Sequence, residues 1–167
     1  AYISITFGAP TKTFNMAGIV SSYAIVPNAE LREKFFGWLK ANELDEPTLF
    51  APIATIAAFR KGEEWRKQML AYVEENVKFV EEYCREYIPS IHPLRPQASF
   101  LMWLDCNELG INHDQLLNLF IDKAHLALND GEMFGPGCKG FMRLNIGTPH
   151  SILRQALSQL ADAVRRL

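Results

Sequence analysis

Hydrophobic and polar positions change period several times along the chain, and each change marks an element. Residues 2–7 set Tyr2, Ile3, Ile5 and Phe7 around Ser4 and Thr6, which predicts a strand ended by Gly8 and Pro10. A short helical turn is expected at 16–18, and a β-prone run at 21–26 is stopped by Pro27-Asn28. Asn28 then serves as N-cap of a helix through about Ala41, with Leu31, Phe35, Trp38 and Leu39 near helical spacing. Pro47 introduces a helix over 48–61, with Pro52 in its first turns. Residues 50–54 are apolar nearly all round, so they are expected to be buried or to face a partner.

Gly62 separates this helix from a longer one over 63–87. There Trp65, Met69, Tyr72, Val73, Val77, Val80, Tyr83, Cys84 and Tyr87 step at three and four residues. Such a helix is about 37 Å long at 1.5 Å per residue, longer than most in globular domains. Pro89, Pro93 and Pro96 punctuate a loop with a short edge segment at 91–94. Residues 99–105 predict a strand with large side chains on both faces. A helix over 113–124, begun by Asn112 or Asn107, turns Leu116, Leu117, Phe120 and Ile121 to one side. A short strand is expected at 126–128, a turn at 129–131 and a strand at 141–146. Thr148 followed by Pro149 predicts an N-cap and first helical position. The last helix, to about Arg166, turns Ile152, Leu153, Leu157, Leu160 and Val164 inward.

From residue 63 the order is helix, strand, strand, helix, strand, strand, helix. That is an α+β arrangement: a small, mainly antiparallel sheet with helices on one face. No internal repeat and no low-complexity segment interrupts it.

Composition narrows the class. A chain of 167 residues, 49% hydrophobic and 22% charged, can bury a real core and is not disordered by composition. A net charge of −2 provides no field for nucleic acid or an anionic membrane. No apolar run approaches the roughly 18 residues of a membrane span, and no basic-then-apolar segment reads as a secretory signal. Cys84, Cys106 and Cys138 lack metal-ligand spacing and read as reduced thiols of a cytoplasmic protein. His92, His113, His125 and His150 are scattered without metal spacing and read as structural or surface residues, so no metal is expected.

Two basic residues sit where chemistry is possible. Lys12 follows a strand-like run and Gly8-Ala9-Pro10, and precedes an aromatic, an amide and a glycine. A lysine held in a semi-buried loop loses its proton more readily, and the neutral amine condenses with aldehydes. On local chemistry alone it reads first as a solvated turn charge, as most lysines near turns are. Arg143 stands alone among apolar neighbours of the strand at 141–146. A strand arginine either pairs structurally with its stem packed on the sheet, or presents a planar fork to a carboxylate.

The run Ala9-Pro10-Thr11-Lys12-Thr13-Phe14-Asn15-Met16-Ala17-Gly18 resembles the cofactor-lysine segment of fold-type-I, class-I/II aminotransferase-like pyridoxal-phosphate enzymes. Within them it is most similar to the bacterial cystathionine β-lyase-like C–S lyases, from which it departs by Thr11 for serine and Met16 for leucine. Phe134-Gly135 and the run Gly140-Phe141-Met142-Arg143-Leu144-Asn145-Ile146-Gly147 resemble the family's C-terminal signature, and residues 129–135 its adjoining pocket loop.

The resemblance implies that Lys12 carries pyridoxal 5'-phosphate as a Schiff base and later moves the substrate Cα proton, with Thr11 and Asn15 shaping the loop around it. It implies that Arg143 clamps the α-carboxylate of a small amino acid, and that the enzyme is a homodimer. Ala9 and Val20 stand where many aminotransferases place a serine and an arginine on the cofactor phosphate. That favours the lyase-like branch and leaves the phosphate ligands unassigned. It also places the lysine too early for a complete enzyme, so the chain is expected to be the C-terminal part of a longer protein. Residues 1–28 are then a remnant of the large cofactor domain, 29–62 interdomain helices and 63–167 the C-terminal small domain. The strands at 2–7 and 21–26 are expected to be edges without partners. Lyase and transaminase chemistry both remain open. So does a second reading, in which the chain on its own is a folded domain without activity, serving as a structural or dimerisation module.

Overall fold

The computed structural model describes residues 3–167, so Tyr2 of the first expected strand lies outside the described residues. The chain divides into two compact units, one ending at Met69 and the other spanning Leu70–Leu167.

In the first unit, β1 (Thr6–Gly8) and β2 (Tyr23–Ile25) pair antiparallel, with Thr6 opposite Ile25 and Gly8 opposite Tyr23. The two expected edges therefore satisfy each other, in strands shorter than the alternation suggested. A Cβ on Gly8 would lie 2.5 Å from the end of the Tyr23 ring across the ladder, so a side chain there would displace that ring. Between the strands run α1 (Pro10–Thr13), with proline at its first position, and a 3₁₀ turn at Ala17–Ile19. Helix α2 (Ala29–Ala41) starts where the Asn28 side chain accepts from the Leu31 amide at 2.9 Å.

Helix α3 (Ala51–Lys61) begins three residues later than its apolar pattern predicted. The Thr48 carbonyl accepts from the Ala51 amide, and its hydroxyl donates to the Ile19 carbonyl at 3.3 Å, which ties residue 48 to the lysine-bearing segment. Of the residues in α3 only Ala51 is buried; Ile53 is 63% and Phe59 55% exposed. The Phe14 and Tyr23 rings pack on Phe59, but among the described residues much of the apolar surface of α3 stays exposed.

The unit boundary falls inside α4 (Glu63–Tyr87), whose limits match its hydrophobic stripe. In the second unit β3 (His92–Leu94), β4 (Leu101–Asp105), β6 (Phe141–Asn145) and β5 (Asn129–Asp130) form one antiparallel sheet in the order β3-β4-β6-β5. Alternation sorts its faces: Met102, Leu104, Met142 and Leu144 are buried, whereas Trp103 and Arg143 on the opposite side are partly open. The core adds Val73, Val77, Val80 and Cys84 of α4, Leu116 of α5 (His113–Asn118), and Leu153, Leu157 and Leu160 of α6 (His150–Val164). Each such aliphatic side chain contributes roughly 1.5–3 kcal/mol on full burial. This is the α+β arrangement anticipated, with six α-helices and small antiparallel sheets among the described residues.

Three local expectations are corrected. The helix expected over 113–124 opens with a capping box of Asn112 and Gln115, then widens into a π-turn at Leu119–Lys123. There the Ala124 amide reaches back five residues to the Leu119 carbonyl at 2.9 Å. That shift sends Leu119, Phe120 and Ala124 inward and leaves Ile121 50% exposed.

Residues 126–128 form no strand, because the Leu126 amide donates to the Phe120 carbonyl at 2.7 Å and so closes the π-turn. The ladder begins instead at Asn129 and Asp130, opposite Arg143 and Met142, where a turn was expected.

The N-cap of α6 is Pro149 rather than Thr148, without a side-chain cap of its own. Helix α4 caps the corner from outside. Asn76 Nδ2 donates to the carbonyls of Ile146 (2.9 Å) and Thr148 (3.0 Å), and the Tyr72 hydroxyl accepts from the His150 amide (2.7 Å).

Candidate active site

Lys12 rides on the single turn of α1, reached through the extended Ala9 and the buried Pro10. The Phe14 amide closes on the Pro10 carbonyl and the Met16 amide on the Thr11 carbonyl, both at 2.9 Å. Asn15 takes a left-handed conformation, φ 50°, which asparagine tolerates better than most residues. The expected semi-buried lysine is not what this chain provides: Lys12 is exposed, Thr11 half-buried and Asn15 exposed.

The residue of this loop that turns inward is Phe14. Its ring meets Phe59 edge-on at 5.6 Å and Trp65 at 6.4 Å. Gly62 leaves room for it, since a Cβ there would lie 2.7 Å from the Phe14 ring and 2.5 Å from the Ala58 carbonyl. The lysine is therefore held at its base and open at its tip. Among the described residues no acidic group pairs with its amine. Thr11, Lys12 and Asn15 share one loop of the first unit; Arg143 belongs to the second and stands by itself there.

Arg143 occupies the centre of β6, opposite Trp103 of β4 on one side and Asn129 of β5 on the other. Its Nη2 donates to Asn129 Oδ1 at 2.9 Å, and its guanidinium carbon lies 4.4 Å from the centre of the Phe134 ring. Trp103 meets Phe134 edge-on at 5.3 Å and Phe141 at 6.3 Å. The Nε–H is buried and has no acceptor among the described residues. A charged donor without a partner is costly to bury, which marks Arg143 as the least satisfied cation of this face.

Glycines shape the adjoining turn. Gly135 adopts φ 123° and Gly140 φ 78°, and a Cβ on Gly131 would collide with the carbonyl of Cys138.

The remaining titratable groups have structural surroundings. Burial pushes the Cys84 thiol up to about 12. Burial, helped by Asp105 and by Cys84, does the same to Cys106, also to about 12. His92 faces Glu108 at 2.9 Å, and His113 lies 3.3 Å from Asp130 and 3.5 Å from Glu132. Among the described residues no group of three or more His, Cys, Asp or Glu side chains is placed to hold a metal ion, and no helix is long and apolar enough to cross a membrane.

The resemblance placed residues 129–135 in the pocket loop beside Arg143 without singling out Asn129 or Phe134; Trp103 as its neighbour and Asn76 as the corner brace were passed over. Asn76 had a signal: it is a lone amide inside the apolar stripe of α4. Asn129 was hidden by its Asn-Asp-Gly context, which reads as a turn.

A two-unit chain with an open amine on a glycine-bounded loop and an arginine fork on a small antiparallel sheet has close counterparts among known proteins. No family-level sequence profile matches it. Cystathionine beta-lyase PatB of Bacillus subtilis is 36% identical over 167 residues, covering 100% of this chain and 41% of that protein. The structure of a PLP-bound putative aminotransferase from Clostridium difficile 630 superposes with a TM-score of 0.93 at 34% identity, over 96% of this chain and 41% of that one. Cystalysin of Treponema denticola, whose structure contains pyridoxal 5'-phosphate, gives a TM-score of 0.86 at 28% identity, over 97% and 41%. The chain belongs to the fold-type-I pyridoxal-phosphate aminotransferase and C–S lyase family, and its fold matches the C-terminal region of those enzymes. It spans about two fifths of the length of the relatives it matches.

Proposed function

We propose that this chain acts as the C-terminal part of a pyridoxal-phosphate-dependent C–S β-lyase or aminotransferase whose substrate is a small amino acid. The observation that carries the reading is Arg143, a guanidinium set among aromatics with a buried, unpartnered Nε–H. Residues 1–28 contribute to the cofactor domain, 29–62 to the helices between domains and 63–167 to the small domain.

The residues present suit the cofactor at the point that can be tested: an unpaired, exposed amine on a braced loop is available to an aldehyde. Lys12 would hold pyridoxal phosphate, with Thr11 and Asn15 beside it. When bound, the cofactor supplies an electron sink for the pair released as the substrate Cα–H bond breaks. Lys12 Nζ takes that proton. Arg143 holds the α-carboxylate through two parallel charge-assisted hydrogen bonds, which fixes the substrate rotation that decides which Cα bond breaks. In the lyase the proton held on Lys12 Nζ would be available to the departing sulfur; in the transaminase Lys12 Nζ would hand it on without a leaving group departing.

The uncovered apolar surface of α3 supports assembly with further polypeptide, a homodimer partner included. For the chain alone, which spans about two fifths of its relatives' length, the second reading is a folded domain without activity.

Full-length enzyme incubated with L-cystathionine, assayed for free thiol and for amino transfer to an added keto acid, separates the two chemistries. Arg143→Ala is expected to lower kcat/KM by roughly 10–200-fold. Unchanged kinetics would remove the clamp role.

A further inference from the structure

We propose that Asn129 is a positioning residue for Arg143 and that, with Phe134, it sets the affinity for the substrate carboxylate. The inference rests on the clamp reading above and deepens it. Arginine on an open sheet face has several rotamers, and a carboxylate binds well only to a fork already aimed. Here two contacts select one orientation. Asn129 Oδ1 accepts from Nη2 at 2.9 Å, and the Phe134 ring lies 4.4 Å from the guanidinium carbon.

Both contacts come from one short segment held by its own bonds. Asn129 is locked opposite Arg143 by the β5–β6 ladder. Asp130, next in sequence, accepts from the Glu132 amide at 3.0 Å and faces His113 of α5 at 3.3 Å. Because Asn129 is neutral, it orients the guanidinium without neutralising it. An anion at this position would compete with the substrate for the same donors.

The test is steady-state kinetics of the holoenzyme, read as KM against kcat, with the Arg143 Nε–H resonance of the 167-residue chain as a second readout. Asn129→Ala is expected to raise KM for the amino acid roughly 10-fold with kcat within about 2-fold, and to move or broaden that resonance. Asn129→Asp keeps an acceptor and so holds the strand at least as well as alanine does, yet it is expected to raise KM further than Asn129→Ala. Restored KM in Asn129→Asp would mean that Asn129 is merely structural. An unaltered KM in Asn129→Ala, while Arg143→Ala is impaired, would overturn the positioning role and leave the clamp standing. If Arg143→Ala itself is unimpaired, the clamp falls and this inference with it.

Discussion

Replacing Asn76 should destabilise the second unit more than any exposed substitution in it. The side chain is 1% exposed and holds the corner between β6 and α6. In Asn76→Ala the Ile146 carbonyl, in the core, loses its amide donor, which costs about 1–3 kcal/mol. The Thr148 carbonyl, nearer the surface, recovers part of its loss from water, and its share is about 0.5–1.5 kcal/mol. Together these give about 1.5–4.5 kcal/mol. At about 4–8 °C per kcal/mol for a unit of this size, that is a Tm decrease on the order of 6–36 °C. Asn76→Asp keeps the shape but turns a donor into an anionic acceptor aimed at two carbonyl oxygens, so it should be worse than alanine. Trp103 is the one tryptophan of the second unit, so urea unfolding followed by fluorescence, with Trp38 and Trp65 replaced by phenylalanine, reports on it. A loss below about 0.5 kcal/mol for Asn76→Ala, or an aspartate variant as stable as the parent, would refute the corner-brace argument.

Two further outcomes follow from burial and close packing. The Cys84 and Cys106 thiols ionise near 9.0 when unfolded and near about 12 in the fold, so their stabilising contribution is complete below pH 9 and is lost as pH rises toward 12. Urea midpoints between pH 8 and 11 should fall more steeply for the parent than for Cys84→Ala/Cys106→Ala, by up to about 1.4 kcal/mol per pH unit per thiol; parallel slopes would contradict it. Gly62→Ala drives a methyl into the Phe14 ring and the Ala58 carbonyl, so it should cost about 1–3 kcal/mol and shift the Phe14 and Lys12 resonances. Lys12 and Phe14 resonances left in place would mean the aromatic brace does not hold the lysine loop.

Much of the fold was legible where local chemistry and tertiary packing agree. The stripe from Val73 to Cys84 marked α4, and Asn28 marked the start of α2 through its own side chain. Alternation around Trp103 and Arg143 marked the two central strands. Legibility failed where a distant group supplies what the local sequence lacks. Pro149 begins α6 without a side-chain cap because Asn76 and Tyr72 satisfy the corner from another helix. Asn129-Asp130 carries turn chemistry, but the ladder to Arg143 and Met142 takes it as a strand. The π-turn after Asn118 arises from burying Leu119, Phe120 and Ala124 together, which three-and-four spacing does not anticipate.

The site divides in the same way. The motif around Lys12 and the strand context of Arg143 were visible as patterns. The exposure of the lysine was not, because it depends on what surrounds the loop rather than on the loop. The resemblance pointed to the loop 129–135 beside Arg143, but which of its residues touch the guanidinium, and that Trp103 lies opposite, came only with the structure.

The most direct test of the central claim is chemical trapping. Full-length protein loaded with pyridoxal phosphate is reduced with borohydride, which converts a lysine–cofactor C=N bond to a stable amine, and the modified peptide is located by mass spectrometry. The label is expected on the peptide carrying Lys12 and should vanish in Lys12→Ala. Labelling of a different lysine, or of none, would contradict the account.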